Sequence, residues 1–309
     1  MKNIIYLKNV KNYEKLLTDK LKKMPVFAKK IIFKIYSFLK IISKRNLNGL
    51  EIWDLPIENI QNEKEVIKAI KKLQKYKDCI FVLSKDLNIR KVHKLFATLN
   101  VGYLEPSISK KVLLFEALKY INKVQGLKLD EMELTILVNN SSNLNVHLIE
   151  ELSHKVRNIK IVSKNIYKFK KIEEKLYNEY GIAVQFSNSY RRSLLKSKII
   201  VNFDFSQTDI DEYVINDRAM IINCTCNSIK VKSKLFNGIV VNSYKLKIKN
   251  ILLLDEFEDL LIYESRILAK NNINEIFEEA EENKASIIGF IGNNGAITKK
   301  ELKSLFLKK

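Results

Sequence analysis

Five polar residues in a row, Asn139, Asn140, Ser141, Ser142 and Asn143, separate an apolar run from a helical pattern in "LTILVNNSSNLNVHLIEELSHKV" (134–156). A loop at such a junction can present backbone N–H groups to a phosphate, because a helix N-terminus carries unpaired donors and positive partial charge. Glycines usually serve there: they turn tightly and let the backbone approach a pyrophosphate. Asn139 tolerates left-handed backbone at modest cost, but side chains at both Asn139 and Ser141 would crowd a diphosphate. Other apolar runs also end in small amides and hydroxyls, at Asn165, Asn188/Ser189, Asn202/Asp204, Asn223/Thr225 and Asn242/Ser243. Gathered at one sheet edge, these would line a crevice with neutral donors and acceptors. Asn and Ser also favour turns and N-caps, so the same residues read equally as loop formers.

Metal and nucleophile chemistry finds less support. Cys224 and Cys226 are one residue apart and would share a strand face, whereas zinc sites use paired spacings together with His. His147 and His154 are seven apart on one helix, too far for chelation by adjacent turns, and no metal is expected. With Cys79 there are three cysteines, too few for a disulfide framework, which points to a reducing compartment. Gly289, Gly292 and Gly295 are spaced superficially like a phosphate loop, but Asn294-Gly295 is a turn signal and the turn is the expectation. Arg191-Arg192 is read as a solvated pair.

The elements that must position these groups follow from periodicity. Residues 1–125 alternate strand candidates (3–7, 49–55, 78–84 and 101–105) with helices near 11–22, 25–44, 62–76, 88–98 and 108–124, a mixed α/β pattern. Residues 132–250 are more regular. Strand "ELTILVNN" leads to a helix over 143–156 with Leu144, Leu148, Ile149 and Leu152 as its apolar stripe, and "NIKIVSKN" leads to a helix over 166–179. "GIAVQFSNS" leads to a short helix at 189–197, after which "KIIVNFD", "AMIINCT" and "GIVVNSY" follow as strands. Strands apolar on both faces belong inside a parallel sheet covered by helices, so a doubly wound sheet is expected. A helix or helix pair over 254–283, a strand at 286–292 and a helix opened by a Thr298/Glu301 capping box complete the chain.

The order of elements in 132–250 resembles the NAD(P)-binding, Rossmann-like domain of the shikimate dehydrogenase and glutamyl-tRNA reductase type. "LLKSKIIVNFD" (194–204) is similar to their approach to the fourth strand, and "KIVSKN" (160–165) to their second strand, whose end meets a 2′-phosphate. The resemblance implies an N-terminal catalytic domain, a nucleotide domain and returning C-terminal helices, with NAD or NADP as the cofactor class and Lys164 placed for the 2′-phosphate in the NADP case. The glycine fingerprint is absent, and no Lys–Asp pair matches the dehydrogenases' catalytic pair. The reductases' cysteine nucleophile would have to be Cys79, in the apolar run "CIFVLS".

Charge adds a separate feature. The formal charge is +20, yet only seven of the 55 basic residues are Arg. Arg is the residue for bidentate phosphate and base recognition, so specific nucleic-acid reading is not expected. Residues 1–50 carry a net +11 and residues 251–309 a net −3. Within 25–44, Lys29, Lys30, Lys34, Lys40 and Lys44 share one helical arc opposite Phe27, Ile31, Ile35, Phe38, Leu39 and Ile42. Five lysines exclude a membrane span. A helix packed on the N-terminal sheet is one reading; docking on an anionic membrane or an acidic protein through Lys30, Lys34, Lys40 and Lys44 is the other. The N-terminal residues lack the uninterrupted apolar core of a signal peptide, so a cytoplasmic location, with membrane-peripheral docking as the variant, is expected.

The whole reading is a two-domain α/β protein, divided into an N-terminal α/β domain (1–125), a Rossmann-like domain (126–250) and a C-terminal helical extension (251–309). The expected ligand residues are Asn139–Asn143, Lys164, Asn202 and Asn223. Three functions remain open: a nucleotide- or metabolite-binding protein or pseudoenzyme built on a degenerate Rossmann-like domain, a divergent NAD(P)-dependent oxidoreductase, and a membrane- or partner-binding module.

Overall fold

The computed structural model describes residues 3–10, 24–39, 42–47, 50–126, 128–248, 254–268, 275–278 and 285–306. The chain divides into two units, 1–105 with 253–269, and 106–252 with 270–309. The division therefore differs from the expected one. Residues 106–125 go with the second unit, and the C-terminal segment is shared between the two.

In the first unit, β1 (Asn3–Asn9) is followed by helix α1 (Val26–Leu39), β2 (Ser43–Leu47), β3 (Leu50–Leu55), α2 (Glu63–Lys71), β4 (Cys79–Leu83) and α3 (Arg90–Thr98). The strands form one mixed sheet in the order β2-β3-β1-β4, with β1 parallel to β3 and β4 and β2 antiparallel to β3. Strand alternation sorts β1. Ile5 and Leu7 join Trp53, Leu55, Phe81 and Leu83 in a core that Val66, Ile70, Val92 and Phe96 of α2 and α3 complete. Tyr6 is instead bonded through its hydroxyl to Ser265 Oγ at 2.6 Å and set edge-on to Phe257. Ser265 belongs to helix Asp259–Ile267, which is buried from Leu260 to Ser265.

Two sequence expectations change here. The helix expected over 25–44 ends at Leu39, and Ser43–Leu47 is a strand that places Lys44 in β2, not on the helix. Ser43–Leu47 pairs antiparallel with Leu50–Leu55, so the helical periodicity runs past Leu39 into the start of an edge strand. The strand expected at 101–105 is reduced to one bridge, Phe81 to Tyr103. The helix expected at 11–22 and Lys40 lie outside the described residues.

The second unit opens with α4 (Ile108–Val112) and α5 (Leu114–Gln125). There follow β5 (Glu133–Leu137), α6 (Asn143–Ser153), β6 (Asn158–Val162), α7 (Lys170–Tyr180), β7 (Gln185–Ser187), β8 (Ile199–Asn202), α8 (Gln207–Asp211), β9 (Met220–Asn223) and β10 (Ile239–Val241). All six strands are parallel, in the order β10-β9-β8-β5-β6-β7. Counted from β5, this is the 3-2-1-4-5-6 order of the doubly wound dinucleotide fold, and the order reverses between β5 and β8. Here the expected architecture is present.

The stretch read as a single last strand is two. After β10, Asn242 takes the chain into β11 (Ser243–Lys247), which pairs antiparallel with β12 (Ser286–Gly292), itself paired with β13 (Gly295–Ile297) ahead of helix α9 (Lys299–Phe306). Gly292 pairs with Gly295, so the glycine triplet forms a hairpin as expected. A Cβ on Gly292 would meet the Val240 carbonyl oxygen at 2.9 Å, so only glycine fits that crossing. The capping box is reciprocal: Thr298 N–H donates to Glu301 Oε2 at 2.7 Å and Glu301 N–H to Thr298 Oγ1 at 3.2 Å. The helix expected at 189–197 is instead a run of turns, with Leu194 bridged to Ile215. Of the helical stretch expected over 254–283, residues 259–267 and 275–278 are helical, and 269–274 and 279–284 lie outside the described residues.

Candidate functional site

Ligands of doubly wound sheets bind beyond the carboxyl ends of the strands, where the order reverses. Here that place is the loop Val138–Ser142 beside the residues that follow β8. Because β5 and β8 pair in parallel, with Leu137 opposite Asn202, the segment Phe203-Asp204 leaves the sheet directly against the loop. Asp204 turns its carboxylate into it. Oδ1 accepts from the Asn139 N–H at 2.7 Å, Oδ2 from the Asn140 N–H at 2.8 Å, and Oδ2 also from Asn145 Nδ2 at 3.3 Å. Asn145, buried on the first turn of α6, donates as well to the Asn140 carbonyl at 2.7 Å, and its Oδ1 accepts from Lys111 Nζ at 2.9 Å. The N–H groups of Asn139 and Asn140 thus already hold an anion, and the protein supplies it. Burial pushes the Asp204 carboxyl above the usual aspartate range despite its two backbone donors, and nearby Lys111 pulls the other way.

The rest of the loop is committed locally. Asn139 Oδ1 accepts from the Lys164 N–H at 2.9 Å, tying the loop to the end of β6. Ser142 is the N-cap of α6, its side chain accepting from the Asn145 N–H at 3.4 Å. Asn140, Ser141 and Asn143 have exposed side chains. Lys164 does not reach out as a free cation. Its Nζ lies 2.6 Å from Asp209 Oδ1 and 3.0 Å from Glu212 Oε2, and bonding to Asp209 and then Glu212 raises its pKa above the ordinary lysine value.

Asn202 and Asn223, expected in the crevice, are wholly buried and bonded to one another. Asn202 Nδ2 donates to the Phe205 carbonyl and to Asn223 Oδ1, both at 3.0 Å, while its Oδ1 accepts from the Phe205 N–H at 2.8 Å. Asn223 Nδ2 donates to Asn227 O at 2.8 Å and to Asn242 Oδ1 at 2.9 Å. Asn242 in turn donates to Ile229 O at 3.1 Å and to Asn293 Oδ1 at 2.9 Å, and accepts from the Ile229 N–H at 2.9 Å. Four amides therefore run as a chain along the carboxyl ends of β8, β9 and β10 to the β12–β13 turn. Each of Asn202, Asn223 and Asn242 uses both of its amide hydrogens and its oxygen.

The nucleophile candidates are equally enclosed. Burial holds the Cys224 thiol up at about 11, and its Sγ points at the Lys110 carbonyl 3.8 Å away, which also accepts from Tyr244 Oη at 3.4 Å. Cys79 is buried in β4 with its pKa raised by burial. His147 meets Phe277 with the two rings tilted at 50°, and His154 meets Tyr180 edge-on. Among the described residues, no group of three His, Cys, Asp or Glu is placed to hold a metal.

Sequence reasoning missed Asn145 and Lys111, and it placed Asp204 at the crevice edge without seeing that its carboxylate meets the loop. The signal for Asp204 was present in "NFD": once strands one and four are neighbours, an acid just after the fourth strand must face the loop after the first.

The sequence matches no protein-family model and no curated protein. Among solved structures, the chain is distantly similar to L-tryptophan dehydrogenase from Nostoc punctiforme (12% identity, TM-score 0.35, over 98% of this chain and 86% of that one). It is similar at the same remove to the A chain of dipicolinate synthase from Bacillus subtilis (7% identity, TM-score 0.33, over 72% and 80%). Shikimate dehydrogenase 1 from Peptoclostridium difficile aligns at 11% identity and a TM-score of 0.30, over 99% and 100%. The strand order of the second unit, not these likenesses, carries the Rossmann-like assignment.

Proposed function

We propose that the second unit is a Rossmann-like scaffold that no longer holds a dinucleotide, and that the protein is a pseudoenzyme of this fold. The observation that carries the reading is the Asp204 carboxylate on the N–H groups of Asn139 and Asn140. A diphosphate on this loop would sit within a few ångströms of that carboxylate. Two like charges about 4 Å apart repel by about 4 kcal/mol at an effective dielectric of 20, more than one charge-assisted hydrogen bond returns. Lys164 offers little to a 2′-phosphate, since two carboxylates already share its ammonium. The enclosed amides of Asn202 and Asn223 hold the strand ends together in this reading, and of the five loop residues Asn139–Asn143 only Asn140, Ser141 and Asn143 are exposed to a small ligand.

The test compares wild type with Asp204→Ala in thermal melts with NAD, NADP and inorganic pyrophosphate at millimolar concentration. A ligand that binds only the folded state must raise its apparent stability. Wild type should show no saturable shift with any of the three. Asp204→Ala, with its loop donors released, should be stabilised by pyrophosphate. A saturable rise of the wild-type melting temperature with NAD or NADP overturns the reading and restores the oxidoreductase.

A further inference from the structure

Helix α1 exposes the wrong face for a helix packed on its own sheet. Phe27 is 75% exposed, Phe38 71% and Val26 66%, and Ile31, Ile35 and Leu39 are exposed as well. At 3.6 residues per turn, Phe27, Ile31, Ile35 and Phe38 lie within an arc of about 80°. Lys34 borders that arc and Lys30 lies one step further round; both are exposed. The end of the helix is held by Lys68 of α2 and by Lys72 just after it. Lys68 Nζ donates to the Phe38 carbonyl at 2.9 Å and lies 4.5 Å from the Phe38 ring centre, and Lys72 donates to the Leu39 carbonyl. Lys75 is exposed in the turn that follows α2. An apolar stripe is thus rimmed by ammonium groups on flexible stems.

From this arrangement we infer that α1 is a docking helix for an anionic lipid bilayer, lying in the plane of the interface. A surface helix of this kind inserts an aromatic and aliphatic face shallowly while lysines at its rim meet lipid phosphates. Charge selects the occupant. The chain carries +20 overall and residues 1–50 carry +11, so a second copy would bring lysines against lysines, whereas anionic headgroups neutralise them. Crossing the membrane is a different matter: among the described residues, no helix is long and apolar enough to do so.

The experiment is co-sedimentation of the full chain with vesicles of phosphatidylcholine alone and of phosphatidylcholine with phosphatidylglycerol. Binding is expected only to the phosphatidylglycerol vesicles, and it should fall as salt shortens the screening length from about 8 Å at physiological strength to about 3 Å at 1 M. Lys30→Gln with Lys34→Gln should weaken binding roughly 30-fold, the equivalent of about 1 kcal/mol for each lysine at the surface. The charge-matched control Lys171→Gln with Lys196→Gln, on exposed lysines of the second unit, should change it far less. Phe27→Ser with Phe38→Ser should abolish binding while leaving the melting temperature unchanged. Absence of binding at low salt overturns the inference. So does equal weakening by both lysine pairs, which would mark general attraction of a basic protein. A concentration-dependent dimer lost in the Phe variant would assign the face to a second copy and overturn it too.

Discussion

At the carboxyl end of β5, Asn139 and Asn140 give their backbone donors to Asp204, and the neighbouring strand ends give their amides to one another. On α1, Phe27, Ile31, Ile35 and Phe38 meet water. The first region sits where this kind of fold ordinarily takes its ligand, and its polar groups are already satisfied. The second sits on a peripheral helix, and its apolar groups are not. Unsatisfied groups, whether donors without acceptors or apolar surface without cover, are what bind partners. The contrast therefore moves the search for a binding surface away from the sheet crevice and onto the basic helix.

The largest effect is expected from cutting the amide chain. Asn202→Leu orphans the Phe205 N–H and carbonyl in a site with no water access, and should cost about 3 kcal/mol in urea denaturation, at 1–3 kcal/mol for each buried group left unpaired. A cost near zero would mean that the chain is not a structural strut and would reopen the crevice as a ligand site.

Asp204 offers a pH test of the closed loop. Its folded-state pKa lies above the ordinary aspartate value, first because of burial. The stability linked to such a group is fully present below its unfolded pKa and is lost as pH rises through the folded one. Asp204→Asn cannot ionise, so its melting temperature should gain on wild type as pH rises above the ordinary aspartate range. The opposite slope would show that the two N–H donors outweigh burial and that the loop favours the ionised carboxylate.

Ser142→Ala removes the N-cap of α6 and should cost about 1 kcal/mol without altering any ligand response. A changed ligand response would put Ser142 in a binding site as well as at a helix end. The smallest effect should come from α1 itself. Phe27→Ser should change stability by less than about 0.5 kcal/mol, as surface substitutions do. A cost of several kcal/mol, typical of core Phe, would mean that the chain covers this face on its own.

Much of this was legible in the residues. The alternation of apolar runs and helical stripes over 132–250 named a parallel doubly wound sheet, because strand and helix periods are local properties of the chain. Thr298 and Glu301 announced their helix, and Asn294-Gly295 its hairpin, since caps and turns are decided within four residues. The 25–44 pattern misled for the same reason. A helical period extends to Lys44, which stands instead in β2, where its ammonium lies 4.0 Å from the Trp53 ring centre.

The fate of the polar strand ends was of another kind. Asn139 and Asp204 are 65 positions apart, Asn202 and Asn223 are 21 apart, and Asn242 meets Asn293 across 51. The sequence by itself determined that small amides would stand at the ends of parallel strands. Only tertiary structure decided whether they would face a ligand or each other, because that depends on which strands are neighbours. Likewise, the residues of α1 set an apolar stripe with a basic rim, but which side turned outward depended on what the rest of the first unit left uncovered.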